Sequence, residues 1–138
     1  MYFKKYIDNV GWVFIKNFPE WDEHTVIQYR AAAYHRESPN SNQKNALKYW
    51  IDNIDKEIKL MNNALMHHFM TQHPEKGTSD FSDWKKHFSP TELLFFQNGN
   101  FALLGELSYS ELGLAILHTS DGYIVGPQFI VSNHKINH

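Results

Sequence analysis

The sequence predicts an α+β fold in which N-terminal helices surround one long central helix and a small antiparallel β-sheet, or hairpin, closes the C-terminal third. Two observations lead to this prediction. Over residues 41–72 apolar side chains recur in steps of four and three, which keeps them on one face of a helix. From Phe101 onward glycine becomes frequent, lysine is absent until Lys135, and Val, Ile and aromatic residues dominate, as they do in strands. We expect residues 1–138 to form a single domain of this class.

The N-terminal part of the chain is predicted to contain two helices. Residues 2–17 place aromatic and aliphatic side chains at helical spacing, although β-branched residues leave a strand over residues 11–15 as the alternative. Pro19 ends this element, because proline disfavours a helical conformation in the residue before it. Asp22 is a suitable N-cap for a second helix that runs to about Arg36.

One uninterrupted amphipathic helix is predicted from Ser41, which is a suitable cap, to about Gln72. Its main apolar stripe consists of Leu47, Ile51, Ile54, Ile58, Met61 and Leu65. At 1.5 Å per residue this helix would be about 45 Å long, so we expect the rest of the chain to pack around it. Its apolar face would also suit a second copy of the chain, which leaves a homodimer open.

Two segments of the C-terminal half carry cap or turn signals. Residues 89–92, Ser-Pro-Thr-Glu, predict a short helix that ends at the following Asn-Gly-Asn turn, with a strand over residues 93–96 as the alternative. Residues 112–118 and 123–131 flank the turn sequence Thr-Ser-Asp-Gly and predict an antiparallel hairpin. We expect Pro127 at an edge or a bulge of that hairpin, because proline cannot donate to a strand ladder.

Composition excludes several classes of protein. The 138 residues are 42% hydrophobic and 20% charged with a net charge of −2, which predicts a folded chain without the basic surface that nucleic acid requires. The absence of cysteine excludes disulfides and thiolate metal sites. We find no signal-peptide pattern and no apolar run near the roughly 18 residues that span a bilayer. We therefore expect a soluble, cytoplasmic protein that binds neither nucleic acid nor membrane and carries no cofactor.

No catalytic motif is present, which favours a protein without enzymatic activity. The chain has no nucleophile elbow, no phosphate-binding loop and no dinucleotide-binding glycine pattern. The alternative is a small metal-binding protein or hydrolase that uses histidines at the end of the long helix, with one more from the preceding helix. Helical zinc sites usually place histidines three or four positions apart, a spacing that these residues lack. The four candidate ligands are His35, His67, His68 and His73.

The aromatic content and the C-terminal charge favour a protein-binding module. Aromatic residues make up 15% of the chain, and Tyr and Trp are common anchors of protein interfaces. Residues 91–138 contain four acidic residues against Lys135 alone, so we expect a basic partner such as a toxin or nuclease. Immunity proteins, antitoxins and phage-encoded inhibitors of bacterial or phage origin are of this kind. The expected interface residues are Trp84, Phe88, Glu106, Tyr109, Glu111, Asp121 and Tyr123.

Overall fold

The computed structural model describes residues 3–8, 10–33, 37–72, 87–128 and 130–131, which form seven strands and two helices. In chain order these are β1 (Lys5–Ile7), β2 (Gly11–Asn17), β3 (Val26–Ala31), α1 (Ser41–Asp52), α2 (Ile54–Gln72), β4 (Phe88–Phe95), β5 (Phe101–Leu107), β6 (Ser110–Thr119) and β7 (Gly122–Pro127). Neither helix combines the length and the apolar character needed to cross a lipid bilayer.

The strands form one mixed sheet whose spatial order follows the chain, from β1 at one edge to β7 at the other. Neighbouring strands are antiparallel except β3 and β4, which run parallel. Parallel neighbours cannot be joined by a tight turn, and α1 and α2 provide the crossover between them. The sheet therefore consists of two antiparallel meanders, β1–β3 and β4–β7, joined at one parallel pair.

The predicted arrangement of N-terminal helices around a long central helix is wrong, because three strands precede α1. In β3 the buried residues Ile27, Tyr29 and Ala31 recur at every second position, which is the period of a strand with one face in the core. In the helix predicted over residues 22–36, Val26 and Tyr29 would lie on the same inward face. Val26 is instead 52% exposed, so the helical period does not describe this segment.

The strand alternatives left open for two other segments are confirmed. β2 includes residues 11–15, and β4 includes most of residues 93–96. The cap signal at Ser89 does not start a helix, because residues 93–95 are fully buried and form the end of a strand covered on both faces. Pro90 lies next to a register shift between β4 and β5, where a residue that cannot donate is tolerated.

The predicted long helix is broken at Asn53, which separates α1 from α2. Asn53 has φ −127° and ψ 21°, and its backbone N–H donates to the carbonyl oxygens of Tyr49 and Trp50. Its side-chain Nδ2 also donates to the Tyr49 carbonyl oxygen at 2.9 Å. Asparagine often competes with the helical ladder through such local hydrogen bonds, and here it ends α1.

Asn40, and not Ser41, caps α1. The Asn40 Oδ1 accepts from the backbone N–H of Gln43 at 2.9 Å, and the Gln43 Oε1 accepts from the backbone N–H of Asn40 at 3.0 Å. This reciprocal pair is a capping box. Gln43 is buried, and its Nε2 donates to the carbonyl oxygens of Ala32 and Phe95 at 2.7 and 3.1 Å. The cap thereby ties the start of α1 to the ends of β3 and β4.

A buried hydrophobic cluster lies on each face of the sheet. On one face the helices contribute Trp50, Met61, Leu65 and Phe69, which pack with sheet residues that include Tyr29, Leu93, Phe95, Phe101, Leu103 and Ile116. On the opposite face a smaller cluster is formed by Leu94, Phe96, Ala102, Ala115, Leu117 and Val131. The alternation of Leu93 and Leu94 between the two clusters follows from the strand period of two.

The predicted C-terminal hairpin is confirmed as β6 and β7, with bounds shifted by a few residues. Thr119 pairs with Gly122, whose φ of 112° lies in the region that glycine adopts without steric cost. β7 is an edge strand and ends at Pro127, as predicted. The sheet to which this hairpin belongs is much larger than the predicted one.

Candidate functional site

The β5–β6 hairpin carries three of the residues that the sequence assigns to a protein interface. Glu106 lies in β5, Tyr109 in the turn and Glu111 in β6, and all three are exposed. Leu112, which the sequence analysis did not select, is 70% exposed and adds an aliphatic side chain. We name these four residues the hairpin patch.

A register shift explains why the patch is exposed. From Gly105 to Leu107 β5 advances by two residues while β6 advances by four, so β6 is bulged over residues 111–113. A bulge interrupts strand pairing and changes the direction of the side chains that it contains. Glu111 and Leu112 therefore point to solvent instead of alternating into the core.

Two neighbouring rings pack against the side chain of Tyr109. Its ring centroid lies 6.3 Å from that of the buried Phe69 and 6.0 Å from that of His87. The Nδ1 of His87 lies 3.2 Å from the Oγ of Ser108, which holds the imidazole against the turn. Partial burial raises the pKa of the Tyr109 hydroxyl above its ordinary value. Tyr109 thus presents a supported ring with a polar end, as interface tyrosines commonly do.

The charge of the patch is negative. Within the described ranges, neither Glu106 nor Glu111 has an ion-pair partner. The sequence contains no Lys or Arg from residue 87 to residue 134, so β4–β7 supply no cationic side chain of these types. A depression of about 460 Å³ opens beside both carboxylates and is also lined by Thr91 and Gln128. An acidic, partly apolar surface therefore lies at this end of the sheet.

The other predicted interface residues do not join the patch. Phe88 is fully buried, with its ring centroid 5.6 Å from that of Trp21, so placing it on the surface was wrong. Its position in β4 directs it into the core beneath the helices. Asp121 lies in the turn after the ten-residue strand β6 and Tyr123 pairs with His118 near the end of that strand, so both are about 20–30 Å from Glu111 at the usual rise per residue.

The predicted histidine site is only partly described. His67 on α2 is exposed and the adjacent His68 is half-buried. His35 and His73, like the predicted interface residue Trp84, lie outside the described residues. Among the residues that the structure does describe, no three side chains of His, Cys, Asp or Glu come together in a way that would hold a metal ion.

A polar cluster around one buried carboxylate, which the sequence analysis missed, joins α1, α2 and β7. The carboxylate of Glu57, 2% exposed, accepts from the Tyr123 hydroxyl at 2.7 Å and from the Tyr49 hydroxyl at 3.1 Å. His118 stacks on Phe101 with ring centroids 4.5 Å apart and meets the Tyr123 ring edge to face at 5.3 Å. The sequence did contain a signal, since Glu57 interrupts the apolar stripe between Ile54 and Ile58.

Burial shifts the pKa values of this cluster in opposite directions. Burial lowers the pKa of His118, and the nearby Glu57 partly opposes that shift. Burial and hydrogen bonding to Glu57 raise the pKa values of Tyr123 and Tyr49, which keeps both hydroxyls protonated as donors. Because each phenol donates to a different carboxylate oxygen, the cluster holds the first turn of α2 between α1 and β7.

Comparison of the chain with protein family models, with curated proteins and with solved structures finds no match. Function must therefore be inferred from the geometry and charge of the chain itself.

Proposed function

We propose that the protein is a binding module without catalytic activity and that it contacts a basic protein through the hairpin patch. The observation that supports this most directly is the pairing of exposed Tyr109 and Leu112 with the carboxylates of Glu106 and Glu111 on one hairpin. An aromatic or aliphatic anchor surrounded by polar groups is the usual arrangement of a protein interface.

Charge complementarity specifies the class of partner. The two carboxylates of the patch have no counter-charge among the described residues. They would therefore attract a partner with a cationic surface, which raises the association rate and favours that partner over others. A basic toxin or nuclease meets this requirement, and the module would then act as an immunity protein, antitoxin or phage-encoded inhibitor. A stable interface buries about 800 Å² on each partner, so the contact must extend beyond the four residues of the patch.

A matched pair of exposed aliphatic residues tests which surface the partner contacts. Leu112 in β6 is 70% exposed and Ile15 in β2 is 72% exposed. A photo-crosslinking residue placed at position 112, with position 15 as the control, should capture a basic protein from extracts of the native host only from position 112. Mass spectrometry identifies the captured protein, which is then purified for binding measurements.

Calorimetry with that purified partner measures the contribution of each group. Leu112→Ser should weaken binding at least about tenfold, which corresponds to 1.4 kcal/mol, whereas Ile15→Ser should leave the affinity within about twofold. The double variant Glu106→Gln/Glu111→Gln should also reduce the dependence of affinity on salt concentration. Equal crosslinking from both positions, or a salt dependence unchanged by the double variant, would contradict the proposal.

A further inference from the structure

A cleft lies between the N-terminal strands and α1. It shares no residue with the hairpin patch. Its walls include the apolar side chains of Phe3, Trp12, Leu47 and Ile51, and its volume is about 680 Å³. We name it the apolar cleft. Small-molecule sites commonly have volumes of about 300–1,000 Å³ and mainly apolar walls.

The walls of the apolar cleft are fixed by contacts that do not depend on a ligand. The ring centroid of Phe3 lies 5.5 Å from that of Phe14 and 5.8 Å from that of Phe95. The indole Nε1 of Trp12 donates to the carbonyl oxygen of Glu37 at 2.7 Å. A cleft with walls held in this way loses little conformational freedom when a ligand enters it.

Two lysines provide the polar side of the cleft. Lys44 and Lys48 both line it, and their separation by one helical turn places them on the same side of α1. Neither forms an ion pair within the described part of the chain. Among the described lining residues these two lysines are the only charged side chains.

We propose that the apolar cleft binds a small anionic amphiphile, with an alkyl or aryl body against Trp12 and Leu47 and an acidic group beside Lys44 and Lys48. A neutral apolar ligand would leave the two ammonium groups without a counter-charge, and a cationic ligand would be repelled by them. A carboxylate at the end of a hydrocarbon chain satisfies both the walls and the charge. This site does not depend on the partner proposed for the hairpin patch.

Three ligands with the same ten-carbon chain test the proposal: decanoate and decylammonium, each used below its micellar concentration, and decanol, used below its solubility limit. Calorimetry with the full chain should show that decanoate binds at least about tenfold more tightly than either of the other two. Chemical shift changes in an NMR titration should be largest at the amides of Leu47 and Ile51. No binding of decanoate, or shift changes centred elsewhere, would overturn the proposal.

Exposed lysines allow variants that do not disturb the core. Lys44→Met/Lys48→Met should lower the affinity for decanoate at least about tenfold, whereas the control Lys56→Met/Lys59→Met on α2 should change it less than about twofold. Lys44→Glu/Lys48→Glu should reverse the preference, so that decylammonium binds more tightly than decanoate. An unchanged order of affinities in this last variant would show that the lysines do not contact the ligand and would refute the assignment.

Discussion

At the scale of single residues, buried polar groups determine how the helices sit on the sheet. Glu57 accepts from two phenols that come from α1 and β7, and Gln43 donates to carbonyl oxygens that follow β3 and end β4. A buried acceptor or carbonyl that loses its donor costs about 1–3 kcal/mol, so these bonds favour one arrangement of the helices over its neighbours. Apolar contacts alone would tolerate a shift of either helix, because they have no direction.

His118 predicts a specific dependence of stability on pH. Burial lowers its pKa in the folded protein from the ordinary value of 6.5, so the unfolded chain binds the proton more readily. The stabilising contribution is therefore complete above about pH 6.5 and is lost as the pH falls through the lower folded pKa. His118→Phe keeps a ring against Phe101 but cannot be protonated, and it should lose less stability than the wild type between about pH 7 and pH 5.

Urea denaturation at a series of pH values measures this difference. His24→Asn is the control, because it removes a histidine whose side chain is 88% exposed. Parallel stability curves for the wild type and His118→Phe would show that this imidazole is equally accessible to protons in the folded and unfolded chain.

At the scale of elements, the close approach of β4 and β5 requires a glycine. A Cβ atom at Gly105 would lie 2.4 Å from the carbonyl oxygen of Ser89 and 2.6 Å from the buried ring of Phe88. Neither neighbour can withdraw without moving a strand, so Gly105→Ala should lower the free energy of unfolding by about 3 kcal/mol. At Gly126 in β7 the nearest atom to an added Cβ is a methyl carbon of Ile130 at 3.5 Å, an ordinary contact.

Gly126→Ala therefore serves as the matched control and should change the free energy of unfolding by less than about 1 kcal/mol. Denaturant unfolding of the two variants measures both values. If Gly105→Ala does not fold while Gly126→Ala does, the loss of stability at position 105 is larger than expected and the prediction is still met. Equal stability of the two variants would mean that β4 and β5 can separate without cost.

At the scale of the whole molecule, the parallel pair β3–β4 joins the two meanders, and an ion pair crosses it. The Nε of Arg30 lies 2.6 Å from the Oε1 of Glu92, with 14% and 19% of the two side chains exposed. Arg30 also donates through Nη1 to the carbonyl oxygen of Val10 at 3.1 Å. The ion pair therefore connects residues 62 positions apart and adds a contact to the first meander.

Replacing only Arg30 should lower the free energy of unfolding more than replacing both members of the Arg30–Glu92 ion pair. Arg30→Met leaves the Glu92 carboxylate largely buried without a cation, which should cost about 1–3 kcal/mol because some exposure remains. Arg30→Met/Glu92→Leu should recover part of that loss, since no charge is then left unpaired. A double-mutant cycle in denaturant measures the coupling. A coupling below about 0.5 kcal/mol would show that the two charges act independently.

Part of this architecture was predictable from local patterns. The Thr-Ser-Asp-Gly turn and its flanking apolar segments indicated the β6–β7 hairpin, and Pro127 indicated a position at the sheet edge. Glu106, Tyr109 and Glu111 were selected from composition and charge, and the structure places them on one hairpin. The exposure of Leu112 was not predictable, because it follows from a bulge that only the pairing of β5 with β6 creates.

The sequence by itself determined the turns near residues 98–100 and 119–122, the helical character of most of residues 41–72 and the excess of acidic over basic side chains after residue 87. Only the tertiary structure decided that the chain before α1 forms the strands β1, β2 and β3, that Asn53 divides the helix and that Phe88 is buried. The physical reason is the range of the forces involved. Turn and cap preferences act over a few residues, whereas an aromatic-rich segment that fits both a period of two and a period of 3.6 adopts the one that its pairing partner supports. For β3 the partners are β2, which pairs Phe14 with Tyr29, and β4, which pairs Leu93 with Tyr29 across the helical crossover.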